Sequence, residues 1–263
     1  MIYHYCSVPV MEKIIKTKEI WMSDITKMND EGEYKSGYSI IQEILSEFDL
    51  EHHDIVNEMS SDKLNETFQI LIGCFSKNGD LKSQWLEYAD QAKGVSIGFD
   101  ERDIKQFNLF NRYIENDCEP ITSSVDFIPV NYDEVKFRES ARNIINHYIQ
   151  SRSIIKWQLL ARHLMYLSIS YKNSFFKEED EIRSVITLEN RFNEKYLLEK
   201  RDTKLGETNY HRLNTSYEQF SSIKKIIIGP KCTLTINDVQ EHLKKSNLAG
   251  VQVINSIATG KYR

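Results

Sequence analysis

Phe68-Gln-Ile-Leu-Ile-Gly-Cys-Phe-Ser76 is a continuous uncharged run, rich in β-branched and aromatic residues. Such a run is too short for a buried helix and reads as a strand that is covered on both faces. It belongs at the centre of a sheet, and the rest of the chain is read around it. On its N-terminal side, Ile2–Cys6 alternates as a short strand. Val8–Thr17 follows as a helix with Val10, Ile14 and Ile15 at helical spacing, and Ile20-Trp-Met-Ser23 is a second strand that ends in the polar turn 24–30. From Glu31 to about Gln69 the spacing of Ile40, Ile41, Ile44, Leu45 and Phe48 is that of an amphipathic helix.

On the C-terminal side, Leu81–Ala89 reads as a helix and Gly94–Phe99 as a strand, with Asp100 as N-cap of a helix from Glu101. Ser124–Val130 is strand-like. Tyr132–Tyr171 has one long helical periodicity through Ile144, Ile145, Tyr148, Ile155, Leu159 and Leu160. Strands are expected at Ile182–Leu188, Lys195–Leu198, Thr208–Leu213 and Lys224–Ile228, then a stop at Gly229-Pro230, a helix Thr235–Lys245 and a last strand Val251–Ile254. Helices of uneven length between short strands predict an α+β fold rather than a regularly wound α/β one. The expectation is a single domain over 1–263: a central antiparallel or mixed sheet with flanking helices, and helical insertions near 31–67 and 132–171.

With 263 residues, 40% of them hydrophobic and 28% charged, the chain can bury a sizeable core. No apolar stretch reaches the roughly 18–20 residues that span a bilayer. The N-terminus has neither a basic start nor a long apolar core, so no signal peptide is read and a cytoplasmic location is expected. Cys6, Cys74, Cys118 and Cys232 are far apart without a CxxC pair, which suits free thiols better than zinc or disulfides. Residues 1–150 carry 15 Lys/Arg against 27 Asp/Glu, whereas 151–263 carry 19 against 12. The acidic total of −5 argues against a general nucleic-acid coat, while the basic second half permits a local phosphate site. No GxGxxG follows the first strand, and no Walker, HExxH or GxSxG motif occurs.

Four segments stand out from plain core or surface: Tyr3-His4-Tyr5-Cys6-Ser7; Trp21-Met22-Ser23-Asp24 with Met28-Asn29-Asp30-Glu31; Cys74-Phe75-Ser76-Lys77-Asn78-Gly79-Asp80 running on through Gln84-Trp85, Tyr88-Ala89-Asp90 and Gly94; and Phe175-Phe176-Lys177-Glu178-Glu179-Asp180-Glu181-Ile182-Arg183. In this order, from Tyr3 to Pro230, they resemble the bacterial family known as domain of unknown function 2971. Cys6 and Ile182 depart from its usual Thr and aromatic residue. The arrangement is in turn similar to the ADP-ribosyltransferase superfamily, and that resemblance implies NAD as a substrate. By it, His4 would hydrogen-bond a ribose, Ser76 would support the nicotinamide pocket, and Tyr5 or Tyr88 would stack on nicotinamide. Glu181 would be the catalytic carboxylate, with Glu179 completing an ExE pair. A bacterial toxin or phage-defence effector, an unknown protein or nucleic-acid acceptor and a neutralising partner protein are the corresponding expectations.

The residue types suit that chemistry. Cleaving the nicotinamide–ribose bond builds an oxocarbenium-like cation, which a nearby carboxylate stabilises. In an extended segment Glu179 and Glu181 share a face, so one could steady the ribose while the other deprotonates the acceptor. Arg183 falls on the face of Glu181, within reach of a carboxylate or a pyrophosphate. Each residue also has an ordinary reading: a strand histidine inside a core, an acidic run on a solvated loop, a serine that merely ends a strand. Two other functions stay open, a non-catalytic nucleotide- or protein-binding module and a metal-dependent nuclease with Glu179, Glu181, Asp24 and Asp30 around magnesium.

Overall fold

The computed structural model describes residues 1–27, 31–48, 66–112, 121–150, 156–196, 198–203, 206–248 and 250–261. In chain order the elements are β1 (Ile2–Cys6), α1 (Val8–Thr17), β2 (Glu19–Asp24), α2 (Glu31–Ser46), β3 (Phe68–Ser76), α3 (Lys82–Glu87), β4 (Val95–Phe99) and α4 (Glu101–Phe107). Then come β5 (Leu109–Arg112), β6 (Ile121–Ser124), β7 (Asp126–Pro129), α5 (Glu134–Gln150), α6 (Lys156–Ile169), β8 (Glu181–Glu189), β9 (Glu199–Thr203) and β10 (Gly206–Asn214). The chain closes with β11 (Ser216–Tyr217), β12 (Phe220–Ser221), β13 (Ile223–Ile228), α7 (Ile236–Lys245) and β14 (Gln252–Asn255).

Ten strands form one sheet, in the order β14-β13-β4-β1-β3-β2-β10-β9, with β8 also on β3 and β7 on β8. All its pairs are antiparallel except β13 with β14. The fold is therefore α+β with a mostly antiparallel central sheet, and β3 lies inside it. β3 serves three partners with two edges. β8 occupies one edge along all nine residues, from Phe68↔Glu189 to Ser76↔Glu181. The other edge is divided: β1 meets it at Ser76 and β2 at Leu71 and Ile72. β1 then leaves to pair with β4, and β2 is taken up by β10. Gly73, Cys74 and Phe75 face the fork that opens between them.

Side-chain alternation along β3 and β8 sends successive residues to different layers. Leu71, Phe75, Ile182 and Ile186 join the core under α1, α4 and α7, whereas Ile70, Ile72 and Val185 join one formed with α2, α5 and α6. A third, smaller cluster holds Tyr5, Trp85, Ala89, Ala92 and Ile227 beside the β1 end of the fork. Local signals explain the helix ends. Asp100 accepts from the amides of Arg102 and Asp103, and Thr235 and Asp238 close a capping box on α7.

Three expectations need correction or limits. The long periodicity of 132–171 is two helices, α5 and α6, because an αα pair and one long helix share the same 3.6-residue pattern; residues 151–155 lie outside the described residues. No strand forms over 195–198 among the described residues: a 3-10 turn Asn190–Lys195 leads to Tyr196, whose buried ring fixes the chain, and β9 starts at Glu199. The helical pattern after Glu31 is described to Ser46, while Phe68 and Gln69 are already in β3; 49–65, with Cys118 and Met28-Asn29-Asp30, fall outside the described residues.

The turn from α3 into β4 is backbone-strained. Asp90, Gln91 and Ala92 have φ of 49°, 55° and 72°, a left-handed run that costs roughly 1–2 kcal/mol per residue. Hydrogen bonds from Ala92 N–H to the Trp85 carbonyl (2.7 Å) and from Gly94 N–H to the Ala89 carbonyl (2.8 Å) hold it. A Cβ on Gly94 would stand 2.1 Å from the Cys6 carbonyl oxygen. Gly94→Ala is therefore expected to destabilise the chain by about 1–3 kcal/mol, as overpacking of a rigid site does, and urea denaturation measures it.

Candidate functional site

The fork is the mouth of a cleft of about 270 Å³, whose walls include Tyr3, His4, Tyr5, Trp21, Ser23, Cys74, Tyr88, Lys172, Glu179, Glu181 and Arg183. Register explains the membership. Glu181, at the start of β8, lies opposite Ser76, and Arg183 lies opposite Cys74. With Tyr3 opposite Ser76 and Ser23 opposite Ile72, the side chains of Tyr3, Tyr5, Trp21, Ser23, Glu181 and Arg183 stand on one face of the sheet.

His4 stands on the other face by register, with its ring 5.9 Å from that of Phe75. It reaches the cleft because the fork leaves a gap there. Its Nδ1 lies 3.3 Å from the Cys74 carbonyl oxygen. A carbonyl only accepts, so the proton belongs on Nδ1 and Nε2 keeps a lone pair. Burial holds the imidazole pKa below its ordinary value, which keeps the ring neutral.

The acidic pair is not arranged as the sequence pattern implies. Glu179 ends a 3-10 turn, Ser174–Glu179, and Asp180 has φ 45° and ψ 52°, so the two glutamates do not lie on one extended strand. They converge on a lysine instead. Lys172 Nζ donates to Glu179 Oε2 at 2.5 Å and to Glu181 Oε2 at 3.3 Å. Arg183 adds Nε to Glu181 Oε1 at 2.8 Å and Nη2 to Oε2 at 3.3 Å, and its Nη1 donates to the Ile169 carbonyl at 2.8 Å. Lys172 and Arg183 are each 3% exposed and Glu181 5%. Burial alone would raise the Glu181 carboxyl, but Arg183 and Lys172 outweigh it and hold the group below the usual carboxylate range. The neighbouring Cys74 thiol moves the other way, pushed well above its ordinary value by burial and by the Glu181 charge, so it is no thiolate nucleophile. Tyr132, whose phenol burial lifts to about 12, accepts the Glu181 N–H at 2.9 Å. Tyr88, about half exposed, brings its hydroxyl to 3.5 Å from Glu179 Oε1 at the cleft lip.

Two anticipated residues do other work. Ser76 is not on the cleft wall: its buried hydroxyl donates to the Glu179 carbonyl at 2.8 Å and accepts from the Asn78 N–H at 3.2 Å. Tyr5 lines the cleft with its ring, yet its hydroxyl donates to the Asn78 carbonyl (2.8 Å) and accepts from Leu81 N–H (2.9 Å). Asp80 receives Trp85 Nε1, Ser256 Oγ and Ile257 N–H at 2.6–2.8 Å. Lys77 N–H adds a bond to the Asp180 carbonyl at 2.8 Å. The 76–80 segment is thus a scaffold that fixes the Glu179 turn against the C-terminal strand. Lys172 escapes sequence reading, since nothing in Ser170-Tyr-Lys-Asn173 marks one lysine out. It is placed by the bridge Asn131↔Tyr171 and by Lys172 N–H to the Asn131 carbonyl at 3.2 Å.

A family model described as protein of unknown function (DUF2971) matches residues 84–184, the stretch that carries Tyr88, Lys172, Glu179, Glu181 and Arg183. It is narrower than the Tyr3–Pro230 resemblance, leaving β1 and β3 outside. No curated protein and no solved structure matches the chain. Among the described residues, no helix is long and apolar enough to cross a membrane, and no three His, Cys, Asp or Glu side chains are grouped to hold a metal ion.

Removing Lys172 would leave the buried Glu181 and the partly buried Glu179 against one guanidinium. Lys172→Met is expected to cost about 3–5 kcal/mol, the penalty of breaking a buried ion pair from one side, read by chemical denaturation. Because the folded Glu181 pKa lies below its unfolded value of about 4.3, its stabilisation is complete above that pH and lost as pH falls through the folded value. Acid titration of stability should show this component in the unmutated chain and lack it in Glu181→Gln.

Proposed function

We propose that the chain cleaves the nicotinamide–ribose bond of NAD in the fork cleft and passes ADP-ribose to an acceptor or to water. The observation that carries this reading is the convergence of two carboxylates, one of them firmly ionised, at the end of an aromatic-walled cleft that also admits a neutral imidazole. As the bond breaks, its electron pair leaves with nicotinamide and positive charge grows on the ribose. Glu181 stabilises that charge. Glu179, nearer the lip and Tyr88, takes the proton of the incoming acceptor. His4 Nε2 accepts from a ribose hydroxyl, and Tyr3, Tyr5 and Tyr88 supply apolar ring surface for nicotinamide. About 270 Å³ is just below the roughly 300–1,000 Å³ usual for small-molecule pockets, so the cleft suits the nicotinamide-ribose half, with the rest of the dinucleotide over its open side.

One observation favours a second reading, a nucleotide-binding module without turnover. Lys172 and Arg183 already match the two carboxylates in charge, which weakens their pull on a forming cation. The nuclease alternative has less to stand on. Asp24 spends Oδ1 on the Thr26 amide and hydroxyl and Oδ2 on Gln69, and Asp30 lies outside the described residues.

The experiment is to follow nicotinamide release from NAD, with and without cell extract. Glu181→Gln and Glu179→Gln are each expected to lower the rate about 100- to 1,000-fold, the scale of losing one preorganised electrostatic group. Equal release by the unmutated chain and Glu181→Gln, or none by the unmutated chain under either condition, overturns the enzyme reading. Thermal stabilisation by NAD without release would support the binding module.

A further inference from the structure

The cleft has a second wall that the chemistry above leaves unused. Trp21 and Ser23 of β2 line it, and β10 places Arg212 opposite Trp21 and Tyr210 opposite Ser23. One strand further out, β9 places Arg201 opposite Thr208, on the same face. Arg201 Nη2 donates to Ser23 Oγ at 2.5 Å, and its guanidinium lies 5.5 Å from the Trp21 ring centre. Lys13 of α1 places its ammonium 3.8 Å from the same ring.

Charge pairing separates these two cations from their neighbours. Arg212 is held by Glu19 and Glu199, and Lys200 by Glu207. Among the described residues neither Arg201 nor Lys13 has a carboxylate partner, and Arg201 Nε is shut from solvent with no acceptor. Native proteins rarely leave such a donor unmet, because an unpaired buried donor costs about 1–3 kcal/mol. The Ser23 hydroxyl accepts from Arg201 and still has its own proton to give. A planar guanidinium with an unmet Nε–H, a hydroxyl proton and a nearby ammonium are the donors that recognise phosphate oxygens.

We infer that Arg201, Ser23 and Lys13, set around Trp21, form a phosphate subsite on the β2–β10–β9 wing of the cleft, for the diphosphate of a nucleotide whose ribose sits at the carboxylate end. Arg201 gives a guanidinium N–H to one oxygen, Ser23 gives its hydroxyl proton to a second, and Lys13 supplies charge from beside the Trp21 ring. The inference rests on the nucleotide reading of the same cleft for the identity of the ribose, and on the wing alone for the phosphate.

Calorimetric titration with inorganic pyrophosphate at about 0.15 M salt tests it without need of turnover. The unmutated chain is expected to bind. Arg201→Gln should weaken binding at least tenfold, and Ser23→Ala and Lys13→Ala about threefold each, with matching thermal melts confirming the fold. Should Arg201→Gln fail to fold, the other two variants decide. No binding by the unmutated chain, or unchanged affinity in the folded variants, overturns the subsite. NAD turnover is measured in parallel. Pyrophosphate binding that depends on Arg201, without any NAD cleavage, removes the enzyme and keeps the subsite. NAD cleavage with an unchanged KM in Arg201→Gln removes the subsite and keeps the enzyme.

Discussion

A strand has two edges on which to satisfy its peptide groups, and β3 must satisfy them with three partners. Because β8 takes one edge whole, β1 and β2 have to share the other, and neither can follow it for long. The strands splay, and the backbone between the two contacts faces a gap rather than a neighbour. His4 bridges part of that gap through the Cys74 carbonyl. The cleft is thus a consequence of sheet topology, not of a loop that happens to be open. Its walls are strand residues fixed by register, the rigid placement that binding or catalysis requires.

The charged cluster is fixed by a different constraint. A buried ion pair repays its desolvation only when its geometry is good and its remaining donors are met. Here Arg183 uses all three nitrogens on Glu181 and the Ile169 carbonyl, and Lys172 joins both glutamates. The surrounding backbone is pinned to match, by Ser76 and Lys77 on the Glu179–Asp180 turn and by Asn131 on the lysine segment. Most of the polar residues in the 76–80 motif therefore act on the site from a distance. They set where Glu179 points, and none of them lines the cleft.

Along the cleft, charge is separated. One end holds carboxylates already matched by cations, while behind the Trp21–Ser23 wall stand Arg201 of β9 and Lys13 of α1, which no carboxylate matches among the described residues. That polarity suits a ligand with a neutral or incipiently positive ring at one end and anionic groups at the other.

The sequence alone determined the pieces whose signals are local. The unbroken apolar run of Phe68–Ser76 could only be a covered strand, Asp100 and Thr235 announce the helices they cap, and alternation puts Arg183 on the face of Glu181. These depend on neighbours within a few residues, where propensity and period act directly. Only the tertiary structure decided which polar groups meet. Lys172 lies seven residues before Glu179 with nothing to distinguish it, and Arg201 lies 178 residues from Ser23. It also decided against a direct role for Ser76 in the cleft, since the hydroxyl's use depends on a turn 103 residues away. Side-chain chemistry is written in the residue types, but the partner that consumes or frees each group is set by strand order and register. No pattern along the chain encodes those.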